Sequence, residues 1–402
     1  MSHKLLIVGA GQAAAQAVQS LRTEGFDGAI TLIGEEPYGP YQRPPLSKAY
    51  LLGTFERERL FLKSDAFYRE ADCELLLNCR AAVLHRAQKT VELADGRRLG
   101  YDTLLLATGT RVRRLKCPGA QLVGVHYLRD IADVDELRKI FITGKRIAIV
   151  GGGFIGLEVA AVAVKRGLQV TVFEAMDRLM ARSVSRPVSE FFAAEHTRAG
   201  VKLLLRTGVE AIEGNGKVER LRAGGETYDA DMVLVGIGVL PNDELATHAG
   251  LASQDGIVVD RHGRTGDPAI FAAGDCTRHI GREGSAIRLE CVQNAIDQAK
   301  YCALAIAGKP RNYSEVPWFW SDQYDLKLQI AGIARQTDHA VLRGDPYSRK
   351  FAIFHLRDGV IAAVESINAA PDYMLGKKWI GENLRIDPGR LADSSIPIKQ
   401  IA

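Results

Sequence analysis

The chain has 402 residues, 47% of them apolar and 25% charged, an ordinary globular composition with material for two or three packed domains. Its formal net charge is only +4 and Lys and Arg are dispersed, which argues against a nucleic-acid or membrane surface. No apolar run is long enough to cross a bilayer, and the six cysteines show neither a C-x-x-C pair nor zinc spacing, so no metal site or disulfide framework is expected. Met1 to Lys4 leads directly into a core strand without a signal-peptide pattern, and the expected location is the cytoplasm.

In chain order, Lys4 to Val8 reads as a strand entering Gly9-Ala10-Gly11-Gln12-Ala13-Ala14, the G-x-G-x-x-G/A turn that opens a dinucleotide site. Gly9 permits the tight turn, Gly11 lets backbone N–H groups approach a pyrophosphate, and Ala14 lets the helix Gln12 to Glu24 pack on the strand. The next strand, Ile30 to Ile33, ends in Gly34-Glu35-Glu36, which supplies a carboxylate for a ribose diol. Pro37 to Lys48 is too proline-rich for regular structure and reads as a fixed, extended loop holding two cations, Arg43 and Lys48. Short alternating segments from Glu74 to Tyr101, with Asp95-Gly96 as a hairpin turn, predict a small antiparallel addition to the first sheet. Tyr101 to Gly109 is a buried strand, and its end at Thr108-Gly109 falls where open α/β sheets bind ligands.

The fingerprint then recurs. Arg146 to Val150 enters Gly151-Gly152-Gly153-Phe154-Ile155-Gly156, followed by a helix to Arg166 and a strand from Val170 to Glu174. Two fingerprints predict two dinucleotides. A carboxylate at Glu174 accepts from two ribose hydroxyls and repels a 2′-phosphate, so NADH is expected over NADPH. Asp231 to Gly238 echoes Leu104 to Gly109 and predicts a backbone wall for the second nucleotide. Thr265 to Cys276 closes on Gly274-Asp275, where the aspartate can accept from sugar-alcohol hydroxyls. Ala286 to Ala307 reads as helical, with Val292-Gln293-Asn294 able to present free backbone N–H groups. From about Asn312, Trp318-Phe319-Trp320-Ser321-Asp322-Gln323 precedes alternating strands near 326–333, 340–343, 351–356 and 360–364 and a helix at about 372–380, a small α+β domain.

Together these pieces resemble the pyridine-nucleotide-linked flavoprotein reductases of two-dinucleotide type, and within them the putidaredoxin-reductase and biphenyl-dioxygenase ferredoxin-reductase group. The resemblance covers almost the whole chain; its marks are Gly9 to Ala14, Arg43 to Lys48, Leu106 to Gly109, Gly151 to Glu158, Phe271 to Asp275 and Trp318 to Gln323. It implies an α/β chain of two Rossmann-like dinucleotide-binding domains in a glutathione-reductase-like arrangement plus a C-terminal α+β domain. The expected boundaries are 1–114 with 239–311 for FAD, 115–238 for NADH, and 312–402.

By that resemblance FAD binds non-covalently, with Ala13 at the pyrophosphate turn, Glu35 on the adenosine ribose and a backbone contact to adenine near Ala81. Lys48 and Arg129 would lie along the flavin and pyrophosphate, Asp275 on the ribityl chain and Val292 at the pyrimidine edge of the ring. NADH would use Gly151, Gly153, Ile155 and Gly156, with Glu158 near the nicotinamide and Glu174 on the ribose, while Trp320 borders the flavin. Lys48 and Glu158 are expected to pair beside the flavin, and these two with Trp320 form the candidate catalytic set. The implied reaction carries a hydride from NADH to FAD and then single electrons to a [2Fe-2S] ferredoxin serving a cytochrome P450 or a ring-hydroxylating dioxygenase. The resemblance also favours a monomer.

A flavin disulfide reductase would need a redox cysteine, typically in the loop after the first βαβ, and Pro37 to Lys48 holds none. The alternative is a flavoprotein of apoptosis-inducing-factor type with a binding or signalling role, for which an import segment and basic clusters would be expected.

Overall fold

The computed structural model describes residues 3–402, and in it Lys4–Val8 is the central strand of a five-stranded, wholly parallel sheet. The order is Ile270–Ala272, Thr103–Leu106, Lys4–Val8, Ala29–Ile33, Cys73–Leu76. Lys4–Val8, Thr103–Leu106 and Ile270–Ala272 are apolar almost throughout because both faces of a parallel sheet are covered. On one face, Ala14, Ala17, Val18 and Leu21 form the helical i, i+3, i+4, i+7 stripe of Gln12–Thr23, all fully buried. That stripe packs with Leu5, Ile7 and the helix Val292–Ile306, whose Ala295, Ala299 and Ala303 are small enough to let two helices share one core. The sheet belongs to a compact unit made of residues up to Gln42, Arg57–Arg111 and Leu240–Pro317.

A second unit comprises Arg43–Glu56, Val112–Val239 and Trp318–Ala402. Its parallel sheet has the order Lys202–Leu204, Gln169–Phe173, Arg146–Val150, Met232–Val235, Val125–His126, repeating the arrangement around the other fingerprint strand. The copies differ in the fifth strand, taken from Ile270–Ala272 far downstream in one and from Val125–His126 upstream in the other. The same unit holds an antiparallel sheet ordered Trp318–Gln323, Leu326–Gly332, Val360–Ile367, Lys350–Arg357, His339–Asp345, covered by the helix Ala370–Gly381. Leu326, Leu328, Phe351, Ile353 and Ile367 of that sheet form one core with Leu157, Leu179, Val188 and Phe192.

Four local expectations are corrected. Cys73–Leu76 is an edge strand of the first parallel sheet, and only Ala81–His85, Thr90–Leu93 and Arg98–Gly100 form the antiparallel piece, as a sheet of their own. Pro44–Ser47 is a turn of 3-10 helix, because two prolines with fixed φ suit its first positions, so the proline loop is not extended throughout. The helix expected from Ala286 begins at Val292: Ala286–Ile287 pairs with His279 and Ile280, and Cys291 Sγ caps the helix by accepting from Asn294 N at 3.4 Å. Trp318–Gln323 is itself a strand, hairpinned onto Leu326–Gly332.

Candidate functional site

At the first fingerprint, Gly9 has φ +113°, and a Cβ there would stand 2.1 Å from the Ala107 carbonyl oxygen. No side chain could be accommodated where two strand ends approach so closely. At Gly11 the opposite holds: nothing lies within 4 Å of a Cβ position, and Gly11 caps the helix Gln12–Thr23 with no side-chain hydrogen bond. A helix start left bare of capping groups and facing open space fits a pyrophosphate, which would accept from its free N–H groups. Ala13 and Ala14 are buried behind it. Of the two carboxylates ending Ala29–Ile33, Glu36 already accepts from Tyr41 Oη at 2.5 Å, whereas Glu35 is 71% exposed, with Arg80 Nε at 3.9 Å. Of the two, Glu35 is the carboxylate left open to solvent. Ala81 opens its strand half-buried, paired with Leu93.

The strand end at Thr108-Gly109 is locked by a residue the sequence did not single out. Asn242 Nδ2 donates to the Thr108 carbonyl at 2.9 Å, Thr108 Oγ1 donates to the Asn242 carbonyl at 2.6 Å, and Asn242 N donates to the Gly109 carbonyl at 2.9 Å. With its hydroxyl so engaged, Thr108 offers a ligand backbone and shape. The Gly274-Asp275 turn is held likewise: Gly274 N donates to Gln298 Oε1 at 2.8 Å, and buried Gln298 also takes Thr277 Oγ1 at 2.8 Å. Val292 is half-buried at the first position of its helix.

The second fingerprint repeats the first. Gly151 has φ +108°, and its Cβ would fall 2.4 Å from the Gly236 carbonyl oxygen; Gly153, like Gly11, has open space and caps its helix without a side chain. Gly156 lets Phe154–Lys165 lie on the turn, since a Cβ there would be 2.2 Å from the Gly151 carbonyl oxygen. Ile155 is exposed at that helix start. Glu174 Oε2 accepts from Gly152 N and Oε1 from Met176 N, both at 2.7 Å, so the carboxylate is fixed at the turn with lone pairs to spare. Gly238, at φ +97°, has Arg182 Nη2 3.3 Å from its Cβ position.

In the second unit, the proline turn and the fingerprint helix converge on one carboxylate. Lys48 Nζ is 2.7 Å from Glu158 Oε2, and Ser47 Oγ donates to the same oxygen at 2.5 Å. Ser321 Oγ donates to Oε1 at 2.6 Å. Glu158 is 4% exposed, yet each oxygen is partnered, which is what a buried charge requires. Lys48 also donates to the Pro44 carbonyl at 3.1 Å, so the 3-10 turn itself holds the lysine. Arg43 Nη1 donates to the Arg129 carbonyl at 2.6 Å, while Arg129 N donates to Asp133 Oδ2 at 2.7 Å in the capping box of Ile131–Ile140. Trp320 is half-buried, its ring 5.7 Å from that of Trp318 and 6.4 Å from that of Phe319, and Phe319 packs 4.5 Å from Phe154 of the fingerprint helix. Thus Lys48, Glu158 and the strand bearing Trp320 are brought together, with Ser47 and Ser321 as the partners sequence reasoning left unassigned.

All six cysteines are free. Burial pushes the thiols of Cys73 and Cys291 up to about 12, and those of Cys276 and Cys302 upward as well, away from the thiolate form that redox chemistry needs. Among the described residues, no helix is long and apolar enough to cross a membrane.

Comparison with known proteins finds matches along nearly the whole chain. A family model described as pyridine nucleotide-disulphide oxidoreductase matches residues 3–299, and one described as reductase C-terminal matches 318–402. Rhodocoxin reductase of Rhodococcus erythropolis is 44% identical over 400 residues, covering 98% of this chain and 93% of that protein. The crystal structure of the covalent putidaredoxin reductase-putidaredoxin complex superposes with a TM-score of 0.97 at 36% identity, covering 99% of this chain and 98% of the other. The ferredoxin reductase for the CYP199A2 system from Rhodopseudomonas palustris gives a TM-score of 0.96 at 39% identity, covering 99% and 100%.

Proposed function

Because the chain belongs to the pyridine nucleotide-disulphide oxidoreductase family, we propose that it is an NADH-dependent flavoprotein reductase that delivers electrons through FAD to a [2Fe-2S] ferredoxin. The observation carrying this reading is the buried Lys48–Glu158 pair, set between the second fingerprint helix and the strand that bears Trp320. The relatives support it by what they are: a rhodocoxin reductase, and a putidaredoxin reductase in covalent complex with putidaredoxin. The ferredoxin would in turn serve a cytochrome P450 or a ring-hydroxylating dioxygenase. The signalling alternative gains nothing from these relatives.

When bound, FAD would accept a hydride from NADH and release electrons singly to the ferredoxin. The chain's part is to bind, align and set charge. For FAD we assign the bare helix start at Gly9, Gly11, Ala13 and Ala14 to the pyrophosphate and Glu35 to the ribose. Thr108, Gly109, Asp275 and Val292 would border the remainder with their strand and helix ends, and Arg43, Lys48, Arg129 and Ala81 complete the set. For NADH we assign Gly151, Gly153, Ile155 and Gly156 to the pyrophosphate, Glu174 to the ribose and Gly238 to the wall. These assignments correspond to domains 1–114 with 239–311, 115–238 and 312–402. We place the protein in the cytoplasm, supported by its six unpaired cysteines.

The test is direct. Protein loaded with FAD should show a flavin spectrum bleached by NADH without oxygen, and should reduce cytochrome c rapidly only when a [2Fe-2S] ferredoxin is added. Bleaching with no dependence on ferredoxin would contradict the reductase reading.

A further inference from the structure

Glu158 is also the end point of a longer buried chain of hydrogen bonds. At its outer end is Tyr324, 37% exposed, with Oη 2.8 Å from Nδ1 of the fully buried His196. His196 Nε2 is 2.8 Å from Gln323 Oε1, Gln323 Nε2 is 3.2 Å from Ser321 Oγ, and Ser321 Oγ is 2.6 Å from Glu158 Oε1. Gln323 and Ser321 are two residues apart on one strand and so point to the same side, buried, while Asp322 between them is exposed. His196 lies near the end of the helix Arg186–Arg198.

The donor in each link is fixed by the next. A carboxylate accepts only, so Ser321 must spend its single proton on Glu158. Its oxygen then takes the Gln323 N–H, which turns the Gln323 oxygen toward His196. His196 must therefore carry its proton on Nε2 and accept from Tyr324 at Nδ1. The reverse amide orientation would draw the Ser321 proton away and leave Glu158 Oε1 without its donor. Burial, which pushes His196 down to about 4, keeps the imidazole neutral as this order requires. An amide cannot pass a proton without becoming its tautomer, so the chain positions groups and does not conduct protons.

We propose that Tyr324, His196, Gln323 and Ser321 form a one-way series of donors that holds the Glu158 carboxylate against Lys48, making the C-terminal sheet a positioning element of the redox site. The inference rests on the reading above that Lys48 and Glu158 adjoin the flavin. Without these donors Glu158 can turn from Lys48, and the lysine's field on the ring is no longer moderated at a fixed distance.

The experiment measures the FAD midpoint potential by dye equilibration, the rate of flavin reduction at saturating NADH, KM and Tm. The variants are Ser321→Ala, Ser321→Thr, Gln323→Met and Tyr324→Phe, with Lys48→Met and Glu158→Gln as references. Ser321→Ala and Gln323→Met should move the potential upward, in the direction expected of Glu158→Gln, Ser321→Ala by more. They should change the reduction rate by about threefold to tenfold with KM within about twofold, the scale of one lost hydrogen bond to a charged group. Ser321→Thr, which restores the hydroxyl, should return both values toward wild type, and Tyr324→Phe should give the smallest shift. Should Gln323→Met not fold, the Ala and Thr variants at Ser321 carry the same test. Wild-type potentials in Lys48→Met and Glu158→Gln would overturn the site reading and this inference with it. A shift in those two, with Ser321→Ala losing only Tm, would overturn the inference alone.

Discussion

Lys48 Nζ stands 2.7 Å from Glu158 Oε2, bringing the proline turn after the first fingerprint onto the helix of the second. The lysine is 19% exposed and the glutamate 4%, so this pair is screened far less than a surface ion pair. A fixed cation beside a flavin favours its anionic reduced form. Lys48→Met should therefore lower the flavin midpoint potential and slow reduction by NADH about tenfold, with FAD content largely kept. Anaerobic stopped-flow at saturating NADH checks it, and unchanged rates in both Lys48→Met and Glu158→Gln would remove the pair from the mechanism.

Glu174 predicts cofactor choice. Its carboxylate is clamped by Gly152 N and Met176 N, so it cannot swing aside to admit a 2′-phosphate. NADH should exceed NADPH in kcat/KM by roughly a hundredfold, a difference of about 2–3 kcal/mol. Glu174→Ala should narrow the ratio chiefly by weakening NADH. Equal kcat/KM for the two cofactors in the wild type would refute the assignment.

The fingerprint glycines predict a contrast in tolerance. Gly151→Ala would drive a methyl to 2.4 Å from the Gly236 carbonyl oxygen at φ +108°, whereas Gly25, at φ +86°, has nothing within 4 Å. Gly25→Ala should cost about 1 kcal/mol, and Gly151→Ala more than about 3 kcal/mol or the fold itself. Urea unfolding of the two variants decides it, and equal losses would show that the close approach is not what fixes Gly151.

Two buried histidines predict acid lability. Burial lowers His196 and His279 from 6.5 to about 4. Between those values the unfolded chain takes up a proton that the folded chain does not, so stability rises with pH across the window. The contribution is complete above about pH 6.5 and is lost as pH falls toward 4, up to about 3 kcal/mol for each histidine. Denaturant unfolding at pH 7.5 and 4.5 should show the loss, and His196→Gln should shrink it; an equal loss in that variant would exclude His196 as a source.

No cysteine should take part in turnover. Burial raises the thiols of Cys73, Cys276, Cys291 and Cys302. Treatment of the folded protein with iodoacetamide should leave reduction by NADH and delivery to ferredoxin within about twofold of untreated protein. Loss of flavin reduction in alkylated, folded protein would revive disulfide chemistry.

The glycine turns were legible in the sequence because backbone sterics admit so few residues there: Gly9, Gly151 and Gly238 all take positive φ. Lys48 and Glu158 could be paired by position, each lying just beyond a recognisable turn. Cys73–Leu76 was not legible as a parallel edge strand, since its mixed burial resembles an exposed antiparallel ribbon. Asn242 and Gln298 left no local signal either, because each acts across the fold on the Thr108 and Gly274 backbones. The same holds for His196 and Gln323, which meet only when the helix and the C-terminal strand are packed.

That packing has a consequence for dissecting the protein. Leu157, Val188 and Phe192 are covered in part by Leu326, Leu328, Phe351 and Ile353. A fragment ending before Trp318 would expose this greasy face to water, inviting self-association or chaperone capture. The C-terminal sheet is thus an obligate lining of the second nucleotide domain, and the two must be inherited, expressed and recombined as one block.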